Sequence, residues 1–113
     1  KQELQLLKNK YKKLGIATGR PKKEAKCVIK NNKLEKIFDC IIAMEDIENS
    51  KPSPDSIIAV IKKLGLKQTV YIGDSPSDVI AARRAQIPSI FVGKQNIGTI
   101  NFQTILKVIQ YLL

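Results

Sequence analysis

The sequence contains no histidine among its 113 residues. That excludes histidine general bases, histidine triads and most zinc sites. Cysteine is scarce. Cys27 and Cys40 stand apart, without the Cys-x-x-Cys spacing of a zinc or redox motif. Aromatic residues are few: three Tyr and three Phe, fewer than a base-stacking platform among the lysines would want. No apolar run reaches the roughly 18 residues that a membrane-crossing helix needs. No cationic start leads into an apolar stretch, so no secretory signal is visible. A cytoplasmic protein with reduced, packed thiols is the simplest expectation. A glycine-rich dinucleotide fingerprint and a Gly-x-x-x-x-Gly-Lys-Ser/Thr loop are also missing, which leaves dinucleotide binding and P-loop hydrolysis unsupported.

What is present suits one domain over residues 1–113, with 43% hydrophobic residues and a modest core. The charge is one-sided: 20 Lys+Arg against 10 Asp+Glu, a net +10. The excess is concentrated early, since residues 1–36 hold 12 basic and 3 acidic side chains. Such a field attracts phosphates, nucleic acids and anionic surfaces without naming one, and a solvated lysine-rich helical face is the plainer account. The chain opens on Lys1 rather than methionine, and further sequence upstream is expected.

Hydrophobic spacing predicts alternating helices and strands. Leu4, Leu7, Tyr11 and Leu14 recur at helical spacing over about residues 2–12. Gly15 to Thr18 reads as a buried strand, and Pro21 opens a helix to about Lys30 with Ala25, Val28 and Ile29 inward. Asp39 to Met44 is a second strand, followed by an acidic loop. Ser53 and Pro54 suit the start of a helix that Gly65 stops. Thr69 to Gly73 is a third strand, and Ser75, Pro76 and Asp78 spell a capped helix start. Pro88 to Val92 is a fourth strand, Gly93 to Gly98 a loop. Phe102, Ile105, Leu106, Ile109 and Leu112 or Leu113 mark a terminal amphipathic helix. Strands spaced by helices imply βαβ units, hence an α/β fold with a parallel sheet and helices on both faces.

In such sheets ligands bind at the carboxyl ends of the strands. The first strand ends in Thr18-Gly19 against a helix start, which serves either as a phosphate cradle or as an ordinary capped turn. The second leads to Lys51, whose flanking backbone is restricted by Pro52 and Pro54. It is either an ammonium poised over phosphate oxygens or a surface lysine. The third ends in Gly73-Asp74-Ser75-Pro76-Ser77-Asp78. Asp74 and Asp78 are four residues apart across a helix start, a pair that suits Mg²⁺, while Asp78 alone also suits a capping box.

Together and in this order, these pieces resemble the haloacid dehalogenase-like hydrolase superfamily. "GIATGRP" resembles its second motif and "SKPSPD" its third, in the form common in the phosphoglycolate-phosphatase-like branch. "VYIGDSPSDVIAARRA" is very similar to its fourth motif, and "FDCIIAMED" resembles the strand leading to the third. The match covers about residues 14–93. The resemblance implies a Rossmann-like core. In it Thr18 and the Gly19 N–H hold the transferring phosphoryl group, Lys51 offsets its charge, and Asp74 and Asp78 position Mg²⁺. Ser75 and Arg20 are helpers by position. The substrate implied is a small phosphorylated metabolite.

One element of that family is absent. Its first motif is Asp-x-Asp on the central strand, carrying the nucleophile and the acid/base. The five aspartates here are Asp39, Asp46, Asp55, Asp74 and Asp78, and none forms Asp-x-Asp. The usual cap domain is missing too. The resemblance therefore implies a partial core whose strands bearing Thr18 and Asp74 have unpaired inner edges. The native object is expected to be larger: an upstream segment or a second chain supplies the strand, or the chain is a decayed remnant. Alone it is expected to be inactive. The other reading is a non-catalytic basic module that holds nucleic acid or another polyanion.

Overall fold

The computed structural model describes residues 2–93, 96–98, 100–102 and 105–113, with the side chains at 105 and 106 excepted. Its elements are α1 (Gln2–Tyr11), β1 (Gly15–Ala17), α2 (Lys22–Asn31), β2 (Cys40–Ile42) and α3 (Asp55–Leu64). β3 (Tyr71–Gly73), α4 (Pro76–Arg84), β4 (Ser89–Val92), β5 (Ile100–Phe102) and α5 (Ile105–Leu112) follow. A single 3₁₀ turn, Met44–Asp46, follows β2.

All strand pairs are parallel, but they fall into two sheets, β1-β2 and β3-β4-β5. β1 pairs only with β2, and β3 only with β4, among the described residues. α3 packs on β1 and β2, α4 on β3 and β4, and the two helices touch; α1 meets α5. The core follows the same division. Cys40, Ile42 and Val60 form one buried cluster, and Ile57, Ala81 and Ala82 another. Ala81 and Ala82 are fully buried because α4 lies close on the sheet, where a larger side chain would hold it off.

Local chemistry accounts for most boundaries. Gly65 ends α3 in the left-handed region at φ 62°, the conformation that glycine adopts without strain. Ser75 caps α4 through its side chain, with Pro76 in the first turn. α3 departs from the expected start. Ser53 Oγ accepts from Asp55 N at 3.3 Å but lies one residue before the Pro54 cap position. The Asp55 carboxylate ties back the preceding loop through Asn49 N and Asn49 Nδ2.

Several expectations are corrected. Val28 is exposed rather than inward, because Ala25 and Ile29 suffice to bury the inner stripe of α2. Cys27 is exposed rather than packed, lying on the outer side of the same helix, whereas Cys40 is buried. The second strand stops at Ile42, and Met44 turns outward in the 3₁₀ turn. Phe102 belongs to a fifth strand beside β4, not to the terminal helix, which begins at Ile105. Loop positions 94 and 95, and the expected inward side chains of Ile105 and Leu106, lie outside the described residues.

Between the two sheets lies a cavity of about 590 Å³. Gly15 to Ala17 line one side, Thr69 to Ile72 the other, and Leu7 of α1 and Ile57 of α3 contribute to its walls. Packed interiors hold few voids larger than a water molecule, so this is a slot rather than a packing defect.

Candidate active site

The carboxyl ends of β1 and β3 bring the candidate residues together. β1 runs into Thr18, whose N–H donates to Ile42 O of β2 at 2.9 Å. Its Oγ1 accepts from Arg20 N at 3.1 Å, closing a tight turn. Gly19 is exposed at the tip, and a Cβ placed there would meet nothing within 4 Å. The turn is therefore open toward solvent. The start of α2 beside it is occupied: Lys22 N donates to Glu45 Oε1 at 2.8 Å. Asp46 accepts from Ala43 N and pairs with Lys22, so the acidic loop organises this corner. Arg20 is turned to Glu24, at 2.6 Å on the exposed surface.

Lys51 reaches across the gap between the sheets. Its ammonium donates to Ala17 O at 3.2 Å, to Tyr71 Oη at 2.7 Å and to Asp78 Oδ1 at 2.9 Å. Its side chain is 16% exposed and that of Asp78 9% exposed. The Lys51–Pro52 peptide is cis. Asp78 faces four donors. Oδ1 takes Lys51 and the Tyr71 hydroxyl, the latter at 3.2 Å. Oδ2 takes Asp74 N at 3.1 Å and Ser75 N at 3.2 Å. Asp78 N in turn donates to Ser75 Oγ at 3.3 Å, which completes the capping box. Gly73 makes this possible: a Cβ there would sit 2.5 Å from Asp78 Cβ and 2.7 Å from its Oδ2.

Electrostatics hold the cluster ionised. Burial alone disfavours charge on both partners. For Lys51, burial pushes downward, but the hydrogen bonds it donates to Tyr71 and Asp78 more than offset this and raise its pKa above the ordinary lysine value. For Asp78, burial pushes upward, but Lys51 and then Ser75 and the Asp74 N–H carry the net shift downward. Burial raises the Tyr71 pKa, so the phenol stays protonated.

The structure thus brings the sequence-expected Thr18, Lys51 and Asp78 to one end of the sheets, with Gly19 and Asp74 at the exposed tips, and leaves their roles as expectations. The sequence reading did not single out Tyr71. The signal was there: Tyr71 is two residues before Gly73, so both lie on the face of β3 that Asp78 covers.

A divalent cation finds only part of a site. Asp74 is exposed, and its carboxylate carries no hydrogen bond or ion pair among the described residues. The Asp78 oxygens are already engaged. No group of three or more acidic or cysteine side chains able to hold a metal occurs among the described residues. Mg²⁺ takes one or two carboxylates with waters and substrate oxygens, and Asp74 fits as one such donor.

Comparison with known proteins identifies the family. The profile of the haloacid dehalogenase-like hydrolase family matches residues 1–92, and the chain belongs to that family. PpaX of Caldanaerobacter subterraneus subsp. tengcongensis is 33% identical over 94 residues, covering 81% of this chain and 43% of that protein. Phosphoglycolate phosphatase of Escherichia coli (strain K12) is 32% identical over 79 residues, covering 68% of this chain and 31% of that protein. A haloacid dehalogenase-superfamily phosphatase structure from Thermococcus onnurineus superposes with a TM-score of 0.87 at 28% identity, over 98% of this chain and 55% of that one. The chain therefore spans about half the length of the solved relatives and less of the curated ones. Its α/β fold with parallel strands matches half of those structures. No helix is long and apolar enough to cross a membrane among the described residues.

Proposed function

We propose that these residues form part of a Mg²⁺-dependent phosphatase that hydrolyses a small phosphate monoester through an aspartyl-phosphate. The observation that carries the reading is the convergence of Thr18-Gly19, Lys51 and Asp74 at the carboxyl ends of β1 and β3, around a buried Lys51–Asp78 pair. Thr18 Oγ1 and the Gly19 N–H bind the transferring phosphoryl oxygens. The Lys51 ammonium, fixed by three acceptors, offsets charge that builds on those oxygens without having to reorganise. Asp74 holds Mg²⁺, which when bound supplies further charge neutralisation to the phosphoryl group. Asp78 keeps Lys51 and the Asp74 turn in place, and an additional contact of Asp78 to the metal's shell belongs to the same reading.

The nucleophile and acid/base are an Asp-x-Asp pair that these 113 residues lack. A carboxylate oxygen attacks phosphorus, the ester P–O bond breaks and the alcohol leaves with a proton from the second carboxyl group. Water then hydrolyses the acyl phosphate. The strand carrying the pair belongs between β1 and β3, and the cap that shapes specificity lies elsewhere. Phosphoglycolate, which names the E. coli relative's substrate, indicates the class: a small phosphorylated metabolite.

The test is p-nitrophenyl phosphate hydrolysis by this chain joined to an Asp-x-Asp strand segment, with and without Mg²⁺. Activity that requires Mg²⁺ and disappears in Asp74→Asn is expected, and the 113-residue chain alone should be inert. A completed chain that is folded yet inert toward p-nitrophenyl phosphate and a panel of phosphorylated metabolites overturns the proposal.

A further inference from the structure

We infer that Tyr71 is a positioning residue for the proposed reaction: its hydroxyl, together with Asp78, aims the Lys51 ammonium so that one N–H is left for the phosphoryl group. This role rests on the proposed function and brings to it a residue from the body of β3, outside the phosphate turn and the carboxylate pair.

The observation that carries it is the donor count of Lys51. An ammonium has three N–H donors and no acceptor, on a flexible four-carbon stem. Lys51 spends all three within the protein: on Tyr71 Oη at 2.7 Å, on Asp78 Oδ1 at 2.9 Å and on Ala17 O at 3.2 Å. The three acceptors differ in kind. Asp78 Oδ1 carries charge, which strengthens its bond. Tyr71 Oη is the nearest of the three, and it alone also donates, its O–H reaching Asp78 Oδ1 at 3.2 Å. Ammonium, phenol and carboxylate therefore close a ring in which two N–H groups and the O–H each have an acceptor. Ala17 O stands outside that ring, is uncharged and holds the longest of the three bonds to Lys51. It is the partner that a phosphoryl oxygen can displace while the nitrogen stays where it is.

The ring is supported from two sides. The body of Tyr71 packs against the buried cluster of Ile57, Ala81 and Ala82, so the phenol is anchored where α3 meets α4 and its tip enters the site. The ammonium also lies 5.3 Å from the centre of the Tyr71 ring, within cation–π range. Asp78 is fixed separately, by the Asp74 and Ser75 N–H groups on its other oxygen. The ammonium thus has one support on β3 and one on α4. With the carboxylate alone as its side-chain partner it would keep its charge and lose its direction. Preorganised direction is what electrostatic catalysis requires.

The test compares the chain joined to an Asp-x-Asp strand segment with its Tyr71→Phe variant, which removes the hydroxyl and keeps the ring. In p-nitrophenyl phosphate hydrolysis with Mg²⁺, kcat should fall about tenfold and KM stay within about twofold. The loss is smaller than that of a direct donor because Tyr71 acts through Lys51. A second measurement needs no catalysis. In the 113-residue chain, NMR of the lysine ammonium groups at one fixed pH should resolve Lys51 as a held group. In Tyr71→Phe that signal should broaden into exchange with water while the backbone amide spectrum is unchanged. A Lys51 signal that survives Tyr71→Phe, or an unaltered kcat, overturns the inference. So does a Tyr71→Phe chain that unfolds at much lower urea with kcat and KM both altered, since Tyr71 would then serve folding alone. An inert completed chain whose Lys51 signal is lost in Tyr71→Phe defeats the phosphatase reading alone. A completed chain that is active and equally fast in Tyr71→Phe defeats the positioning role alone.

Discussion

The two turns that make the candidate site are built in opposite ways. The Thr18-Gly19 turn after β1 is spare: one side-chain hydrogen bond, an exposed glycine and open space around it. The turn after β3 is over-determined, with Asp78 accepting from two backbone N–H groups, an ammonium and a phenol. Such a division suits a site in which one turn must close on a ligand and the other must stay where it is. The open turn presents the Gly19 N–H, which under the proposed function a phosphate claims, while the Thr18, Arg20 and Lys22 N–H groups are already engaged. The closed turn fixes the Lys51–Asp78 pair and leaves the Asp74 carboxylate exposed; under the proposed function that placement sets the electrostatic stabilisation of the phosphoryl group.

That contrast can be broken in graded steps. The largest effect is expected on the packed half. Ile90 of β4 is 2% exposed, and Ile90→Ala should cost about 3 kcal/mol, read by urea unfolding. Next comes the closed turn itself. Gly73→Ala drives a methyl group into Asp78 and should cost about 2 kcal/mol, with loss of the Lys51–Asp78 contact in side-chain NMR.

A smaller effect is expected at the root of the open half. Asp39 accepts from Leu14 N at 2.8 Å and pairs with Lys8, and its pKa is lowered chiefly by that lysine. A carboxylate with a lowered folded-state pKa contributes stability above its unfolded value, near pH ~4, and loses it as pH falls through the folded value. Asp39→Asn should therefore cost about 1 kcal/mol at pH 7 and flatten the fall in stability below pH ~4, in urea titrations across that range. The smallest effect belongs to the open turn: Gly19→Ala should change stability by less than about 0.5 kcal/mol. A large loss there would show that the turn is not spare at all.

Much of this was legible in the sequence because the signals were local. The Ser75-Pro76-Ser77-Asp78 cap and the Gly65 stop depend on hydrogen bonds within a few residues, and both occur as read. The gathering of Thr18, Lys51 and Asp78 followed from the rule that parallel strands present their carboxyl ends together. What escaped was tertiary. β5 is three residues long with polar Asn101 at its centre, and only pairing with β4 makes it a strand. Val28 has the right spacing for the core but stays exposed among the described residues. Tyr71 read as one more β-forming residue, since nothing in the sequence says that Lys51 ends within 2.7 Å of its hydroxyl.

The first and last helices are fastened to each other at one point. Lys10 Nζ donates to Leu112 O and Leu113 O at 2.8 and 2.9 Å, and Tyr11 Oη to Leu112 O at 2.7 Å. Tyr11 and Leu112 also line the cavity between the two sheets. In engineering terms this places the two ends of the chain side by side, the arrangement that circular permutation exploits.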